Sequence, residues 1–341
     1  MNILVTGGSG YIGSHVCVEL LTQGYHVIAL DNLSNSKITS LHNVSKIVNI
    51  PLNFDLDNDS HFKFVNADLR ILADIDKIFT SQKIDTVIHL AGLKSVRESV
   101  ESPEKYYSNN VDGSANLINV MKKFNCKSII FSSSATVYGS AKETPINESA
   151  KIMPTNPYGE NKVAVEEKLK SLFNLDKMWR IAILRFFNPI GAHKSGLIGE
   201  SPLDIPNNLM PYIMKVASGD AEVLHIYGGD YETHDGTGVR DYIHVLDLAS
   251  GHVMALKALI KKSQIIIVNL GTGYGYSVLD VLRSFEKVSK QKITFKIIER
   301  RDGDVAISYS DPTFAKEVLN WKAQYSLEEM CFDSWKSNLK K

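Results

Sequence analysis

Three cysteines in 341 residues are too few for a disulfide framework. Cys17, Cys126 and Cys331 show no CxxC spacing, and an odd number leaves one unpaired in any scheme. Reduced, buried thiols in a cytoplasmic protein are the expectation. Net charge is also lacking, since 38 Lys and Arg balance 38 Asp and Glu. Such a chain has no bulk field to draw nucleic acid or a membrane surface, so neither partner is expected. Any anionic ligand must be held by a few placed cations and backbone N–H groups. No apolar run has the length of a transmembrane helix. Met1-Asn2-Ile3-Leu4-Val5 reads as a strand entering a glycine turn, not as a signal peptide. Cysteine and histidine do not cluster at metal-ligand spacing, so no metal is expected. Repeats and low-complexity tracts are absent.

What is present is strand–helix alternation. Ile3–Thr6, Val27–Leu30, Phe62–Val65, Thr86–Leu90, Ser128–Ser132, Ile181–Leu184 and, late in the chain, Ile265–Leu270 are short, β-branched apolar runs that read as buried strands. Amphipathic stretches such as Ser14–Gln23, Asp74–Ser81 and Asn110–Lys123 lie between the earlier ones. Alternation of this kind implies crossover connections and an α/β fold with a doubly wound parallel sheet. Between about 189 and 236 the chain turns rich in Gly, Pro and Asn, and its periodicity weakens. A length of 341 residues exceeds what one core usually organises, so a second lobe is expected. The expected division is a first domain of 1–188, with 237–272 returning to it, and a smaller α/β substrate-binding lobe of 189–236 and 273–341. Residues 34–60 should hold a helix and a surface loop.

Gly7-Gly8-Ser9-Gly10-Tyr11-Ile12-Gly13 follows the first strand and opens the first helix. Glycines at 7, 10 and 13 suit a tight turn, close approach to a pyrophosphate, and close helix–strand packing in a Rossmann unit. The helix start supplies N–H groups for phosphate. Glycines also make ordinary turns; strand before and helix after are what give these ones meaning. Asp31 ends the second strand, and a carboxylate there accepts both adenosine ribose hydroxyls while repelling a 2′-phosphate, which favours NAD over NADP. The alternative is a turn aspartate before Asn32. Asp68 could reach the adenine edge or cap a helix.

Ser134 ends a run of three serines, and Tyr158-Gly159-Glu160-Asn161-Lys162 lies 24 residues beyond it, at a helix start. Tyr158 and Lys162 are four apart and share a helix face. A phenol is a poor base at its ordinary pKa of about 10. A nearby ammonium, together with a positively charged nicotinamide, would lower that value. Ser134 can donate a hydrogen bond to a sugar hydroxyl or a developing ketone. The trio suits removal of a hydroxyl proton while hydride passes to nicotinamide.

At these residues the chain resembles the UDP-glucose 4-epimerases of the extended short-chain dehydrogenase/reductase family. The resemblance runs through GGSGYIGSH at 7–15, LDNLSNS at 30–36, DTVIHLAGLKSV at 85–96, FSSSATVYG at 131–139, IPNNLMPYI at 205–213, DGTGVRDYIHVLDLA at 235–249 and RRDGD at 300–304. It implies reversible C4 epimerisation of UDP-glucose and UDP-galactose through a 4-keto sugar, with NAD transiently reduced, in a homodimer paired through helices near 110–123 and 158–172. It implies that Tyr11, Ile12, Asn32, Asn35, Ser36, Leu69, Leu90, Ala91, Gly92, Lys94, Asn109, Ser132 and Phe187 join Gly7, Gly10, Gly13, Asp31, Asp68, Tyr158 and Lys162 around the cofactor. The sugar nucleotide would meet Lys94, Ser134, Tyr158, Asn188, Asn208, Leu209, His225, Ile226, Tyr227, Arg240, Arg301, Asp304 and Ser308. Guanidinium forks at Arg240 and Arg301 suit pyrophosphate oxygens, although either alone could be a surface ion-pair partner.

In the resembled family the position of Ser308 is a size gate for the sugar's C2 substituent. A serine there implies activity on UDP-GlcNAc and UDP-GalNAc as well; the plainer reading is an exposed serine. Three departures from the family pattern stand out: Arg97 where glycine is common, Phe186 where tyrosine is frequent, and Glu160-Asn161 in place of a basic-polar pair. Competing readings are a 4-epimerase of UDP-uronates or UDP-pentoses, a nucleotide-sugar 4,6-dehydratase, and a non-catalytic NAD sensor. A dehydratase needs an acidic pair after the first motif residue, where this chain has Ala135 and Thr136. A sensor would not need Ser134, Tyr158 and Lys162 together.

Overall fold

The computed structural model describes residues 1–141, 143–201, 208–301 and 303–340. By backbone proximity the chain forms two compact units. The first comprises Met1–Gly139, Ile152–Arg185 and Ala249–Val268; the second comprises Ser140–Lys151, Phe186–Leu248 and Asn269–Lys341.

The strands in chain order are β1 (Asn2–Thr6), β2 (His26–Asp31), β3 (Leu52–Asn53), β4 (Phe62–Asn66), β5 (Thr86–His89), β6 (Ser128–Ser134), β7 (Arg180–Phe186), β8 (Asn188–Ile190), β9 (Leu224–Tyr227), β10 (Val239–His244), β11 (Ile265–Leu270), β12 (Gly275–Ser277), β13 (Phe295–Ile298) and β14 (Ile307–Ser308). An eight-stranded sheet runs β11-β7-β6-β5-β1-β2-β4-β3 and dominates the first unit. All seven strands expected from the apolar runs are present in it. Residues 34–60 add a helix (Thr39–Val48) and the short edge strand β3. The doubly wound α/β fold is therefore the observed one. β1 lies in the middle, with β2 parallel to it on one side and β5 parallel on the other. The chain first builds outward through β2 and β4, then crosses back to β5 and builds the other way. The crevice at the carboxyl ends of β1 and β5 is the topological switch point, where such sheets bind ligands. Helices Leu72–Ser81, Gly113–Lys123 and Pro157–Leu175 place Ile75, Ile78, Leu117, Met121, Val165 and Leu169 in the core against Val87, Ile129 and Ile183.

The second unit has a separate core in which Met210, Ile213, Val281, Phe285, Met330 and Trp335, from helices Leu209–Ala217, Val278–Ser289 and Leu327–Asn338, pack with Leu224 and Ile226 of β9. β10 is its hub, pairing with β8, β12 and β14. Asp241 on β10 is fully buried and accepts hydrogen bonds from Thr272 N, Thr272 Oγ1, Gly273 N, Ser310 N and Ser310 Oγ at 2.6–3.1 Å. A carboxylate so fully paired ties three chain segments together. No helix among the described residues is long and apolar enough to cross a membrane.

Candidate functional site

Gly7 leaves β1 with φ +71°, and a side-chain carbon there would lie 2.8 Å from Ala91 N. One on Gly13 would lie 2.0 Å from Gly7 O. Both positions thus require glycine, and the turn presses against the chain leaving β5. The helix it opens, Tyr11–Thr22, has no capping side chain, so its first N–H groups can receive an anion. Asp31, 6% exposed, joins this turn by accepting from Ser9 N (3.0 Å), and also from Leu33 N and Ser36 Oγ (2.9 Å each). Burial pushes its pKa up, and those hydrogen bonds oppose the shift. Asp31 therefore belongs to the glycine turn, whereas Asn35 stays exposed.

Asp68 behaves differently. It accepts from Arg70 Nε and Nη2 (3.0 and 2.7 Å), from Arg70 N (2.9 Å) and from Asn32 Nδ2 (3.0 Å). Arg70 holds its carboxyl well below the ordinary range. It does not cap the next helix, whose cap is Ile71. Leu69 is buried and packs on Gly113.

A hydrogen-bond relay ties the glycine turn to the chain beyond β5. Thr6 Oγ1 accepts from Ala91 N (3.2 Å) and lies 2.7 Å from His89 Nδ1. His89 Nε2 lies 2.8 Å from Ser114 Oγ, which donates to Asn110 O at 2.5 Å. Burial lowers His89 to about 3, so it is neutral, and this order of donors puts its proton on Nε2. Asn110 sits in a π-helical turn, Ser108–Asp112, and its side chain clamps both Leu93 N (2.8 Å) and Leu93 O (3.0 Å). Leu90, Ala91, Gly92 and Asn109 lie around this junction, half-buried. Lys94 is exposed. Arg97 is also exposed and pairs with Glu101 at 2.8 Å, which accounts for the departure at that position by a surface ion pair.

The Ser–Tyr–Lys trio is assembled within the first unit. Tyr158 is 8% exposed and hydrogen-bonded to Ser134. Asn156 caps the helix that carries Tyr158 by accepting from Gly159 N at 2.9 Å, and Pro157 starts it. Lys162, one turn on, donates from Nζ to Ser132 O at 2.8 Å and lies 5.7 Å from the Tyr158 ring centroid. Ser132 Oγ is 2.7 Å from His252 Nε2. The protein groups alone do not make Tyr158 acidic. Burial pushes its pKa up to about 12, with only the Ser134 hydrogen bond opposing. Lys162 is itself lowered to about 8 by burial, with the charge of Glu166 opposing. In both groups desolvation is the largest cause, and it opposes the charged form.

Sequence reading missed the group beneath them. Glu166, one turn beyond Lys162, is 1% exposed and forms a two-pronged pair with Arg185 at 2.9 and 2.6 Å. Ser133 Oγ donates to the same carboxylate at 2.6 Å, and Arg185 Nη1 donates to Tyr138 OH at 3.1 Å. The four-residue spacing from Lys162 was visible in the sequence; Arg185 on β7 was not linked to it by any local pattern.

In the second unit, Arg240 and Ser308 are register partners across β10 and β14. Arg240 Nη1 donates to Val239 O at 2.9 Å. Arg301 lies over the Tyr227 ring at 4.5 Å and donates to Asp304 Oδ2 at 2.9 Å. Asn188 is exposed; Asn208 donates to Glu200 Oε1 at 2.6 Å. His225 is half-buried, while Ile226 packs in the core with Leu209 at its edge and Phe187 is buried. Residues 205–207 of one resembling stretch, and Asp302 of another, lie outside the described residues.

A family model described as GDP-mannose 4,6-dehydratase matches residues 4–333. The chain is 51% identical to UDP-glucose 4-epimerase of Bacillus subtilis and 52% identical to that of Pasteurella multocida, in each case over 98% of this chain and 96% of the relative. The chain belongs to the UDP-glucose 4-epimerase family. A solved UDP-glucose 4-epimerase of Bifidobacterium longum, in complex with NAD⁺ and UDP, superposes with a TM-score of 0.94 at 46% identity, covering 100% of this chain and 98% of that one. Membership in this epimerase family, within the extended short-chain dehydrogenases, accords with the glycine turn and the trio described above.

The Glu166 charge should sustain the Lys162 cation. In Glu166→Gln, Lys162 loses that support and titrates lower, so the alkaline limb of the rate–pH profile is expected to move to lower pH. An unmoved limb in a folded variant counts against the coupling.

Proposed function

We propose that this chain interconverts UDP-glucose and UDP-galactose by C4 epimerisation with NAD as its cofactor. The observation that carries the reading is the assembled Ser134–Tyr158–Lys162 trio in the unit that also holds the glycine turn. The turn fits a dinucleotide: it needs glycine at 7 and 13 and presents an uncapped helix start. Gly7, Gly10 and Gly13 would hold the pyrophosphate with Tyr11 and Ile12, Asp31 the adenosine ribose, and Lys162 the nicotinamide ribose. The first unit is accordingly assigned to the cofactor and the second to the sugar nucleotide.

NAD, when bound, supplies a hydride acceptor for the sugar C4 and a positive charge that favours a nearby phenolate. Tyr158 takes the C4 hydroxyl proton at its phenol oxygen, and Ser134 donates to the same sugar oxygen as it becomes a ketone. Lys162, dry and cationic, stabilises the phenolate. Arg240 and Arg301 hold the diphosphate, so that binding energy from the remote nucleotide retains the 4-keto sugar while its ring turns over. Tyr158 then returns the proton. Dehydration would demand an acid and a base after Ser134, and Ala135 and Thr136 supply neither. Tyr158→Phe is expected to lower epimerisation at least about 100-fold while NAD stays bound. Near-wild-type turnover with bound NAD would sink the assignment.

Ser308 faces Arg240 in register, one strand away. We assign it as the C2 size gate, which extends the substrates to UDP-GlcNAc and UDP-GalNAc. In Ser308→Tyr the rate ratio of UDP-GlcNAc to UDP-glucose should drop about tenfold or more; an unchanged ratio in a coupled assay removes the gate. We also propose a cytoplasmic homodimer joined through helices Gly113–Lys123 and Pro157–Leu175. Exposed Val100 and Tyr107 lie on the helical segments Val96–Glu101 and Pro103–Tyr107, which pack against the second of these helices. A monomer in sedimentation equilibrium at micromolar concentration would refute the dimer.

A further inference from the structure

Two buried polar side-chain atoms of the second unit, Tyr231 OH and Ser284 Oγ, have no hydrogen-bond partner among the described residues, and only the first lies among the arginines assigned to the ligand. Tyr231 is 7% exposed, and its hydroxyl has no hydrogen-bond partner among the described residues. The ring, by contrast, is fully accounted for. The Arg300 guanidinium lies 4.2 Å from its centroid and is fixed in turn by Asp230 Oδ1 and Asp230 O, at 2.8 and 2.6 Å. Gly228, at φ +78°, packs so close that a side-chain carbon there would sit 2.4 Å from Tyr231 Cε2. The backbone is held as well, with Tyr231 N donating to Gly236 O at 3.0 Å and Tyr231 O accepting from Thr233 N at 2.8 Å. A phenylalanine would satisfy every one of these contacts. Among the described residues the hydroxyl is thus desolvated without compensation.

Its surroundings say what would compensate it. The charges acting on the phenol are those of Asp304, Arg300, Arg240 and Arg301. Two of these arginines are the ones assigned to a diphosphate, and Asp304 fixes Arg301. Burial, followed by Asp304, pushes the phenol pKa up, so the group is a proton donor at neutral pH.

We propose that Tyr231 is a further substrate-binding residue, donating its hydroxyl to a phosphate oxygen of the nucleoside diphosphate held by Arg240 and Arg301. This rests on the diphosphate reading of those arginines. A neutral hydroxyl that donates to an anionic oxygen makes a charge-assisted hydrogen bond. The contact is remote from C4, so it holds ground state and transition state alike and acts on KM, not kcat.

The test compares wild type, Tyr231→Phe and Arg240→Met as purified with their cofactor, using UDP itself as the probe. For Tyr231→Phe, UDP affinity should weaken about tenfold, KM should rise by a similar factor, and kcat should hold within about twofold. Its UDP-free melting temperature should be unchanged or higher, because an uncompensated hydroxyl has been removed. Equal UDP affinity in wild type and Tyr231→Phe overturns the proposal. So does a lower UDP-free melting temperature, which would reveal a partner within the fold. A wild type that fails to bind UDP, or an Arg240→Met variant that binds it normally, overturns the diphosphate reading itself and the Tyr231 contact with it.

Discussion

A helix that carries a lysine into an apolar layer must bring a compensating charge, or the lysine gives up its proton. The helix Pro157–Leu175 meets this constraint with Glu166, one turn below Lys162 and of the opposite sign. Glu166 is in turn too buried to stand alone, and Arg185 on β7 answers it through two short bonds. The same carboxylate takes the hydroxyl of Ser133, the neighbour of Ser134. One buried pair thus spaces the helix from β6 and β7, sets where the serines end, and governs the charge of the lysine. A pair like this is weak evidence for stability, since apolar replacements often serve as well. Its worth lies in fixing Ser134, Tyr158 and Lys162 relative to one another.

The two units use different physics to the same end. In the first, the positions are rigid because close-packed backbone leaves no freedom: Gly7 abuts Ala91, and Gly13 abuts Gly7. In the second, each arginine is placed by a ring and a carboxylate, Arg300 by Tyr231 and Asp230, and Arg301 by Tyr227 and Asp304. A geometry of fixed dipoles and charges needs little rearrangement when charge develops on a ligand, which is the main economy of enzyme sites.

Much of this was legible in the chain. Short β-branched runs gave the strands because a parallel sheet buried on both faces needs continuous apolar sequence. The glycine spacing and the Tyr–Lys pair were legible because they are local patterns imposed by local geometry. What escaped detection was non-local. Arg185 meets Glu166 only after the sheet forms. Ser308 meets Arg240 only through a parallel pairing across the second unit. Tyr231 looks like any aromatic residue in a polar loop until its hydroxyl is seen to be buried. The π-helical turn at Ser108–Asp112 has no sequence signal of its own; the extra residue in the turn is absorbed by Asn110 clamping Leu93. Burial was equally illegible: the protein around Tyr158 raises its phenol, against the direction expected of ammonium and nicotinamide together.

The relay from Thr6 through His89 and Ser114 to Asn110 has a fixed polarity. Each hydroxyl and each ring nitrogen in it is already committed as giver or taker, and a neutral imidazole at its centre has no spare proton with which to reverse the order. Opening any one link strands a buried partner, so the links open together or not at all. The end of β1, the chain after β5 and the π-turn therefore behave as a single cooperative block, whose amides would exchange with deuterated solvent as one slow class even while the surface around them breathes.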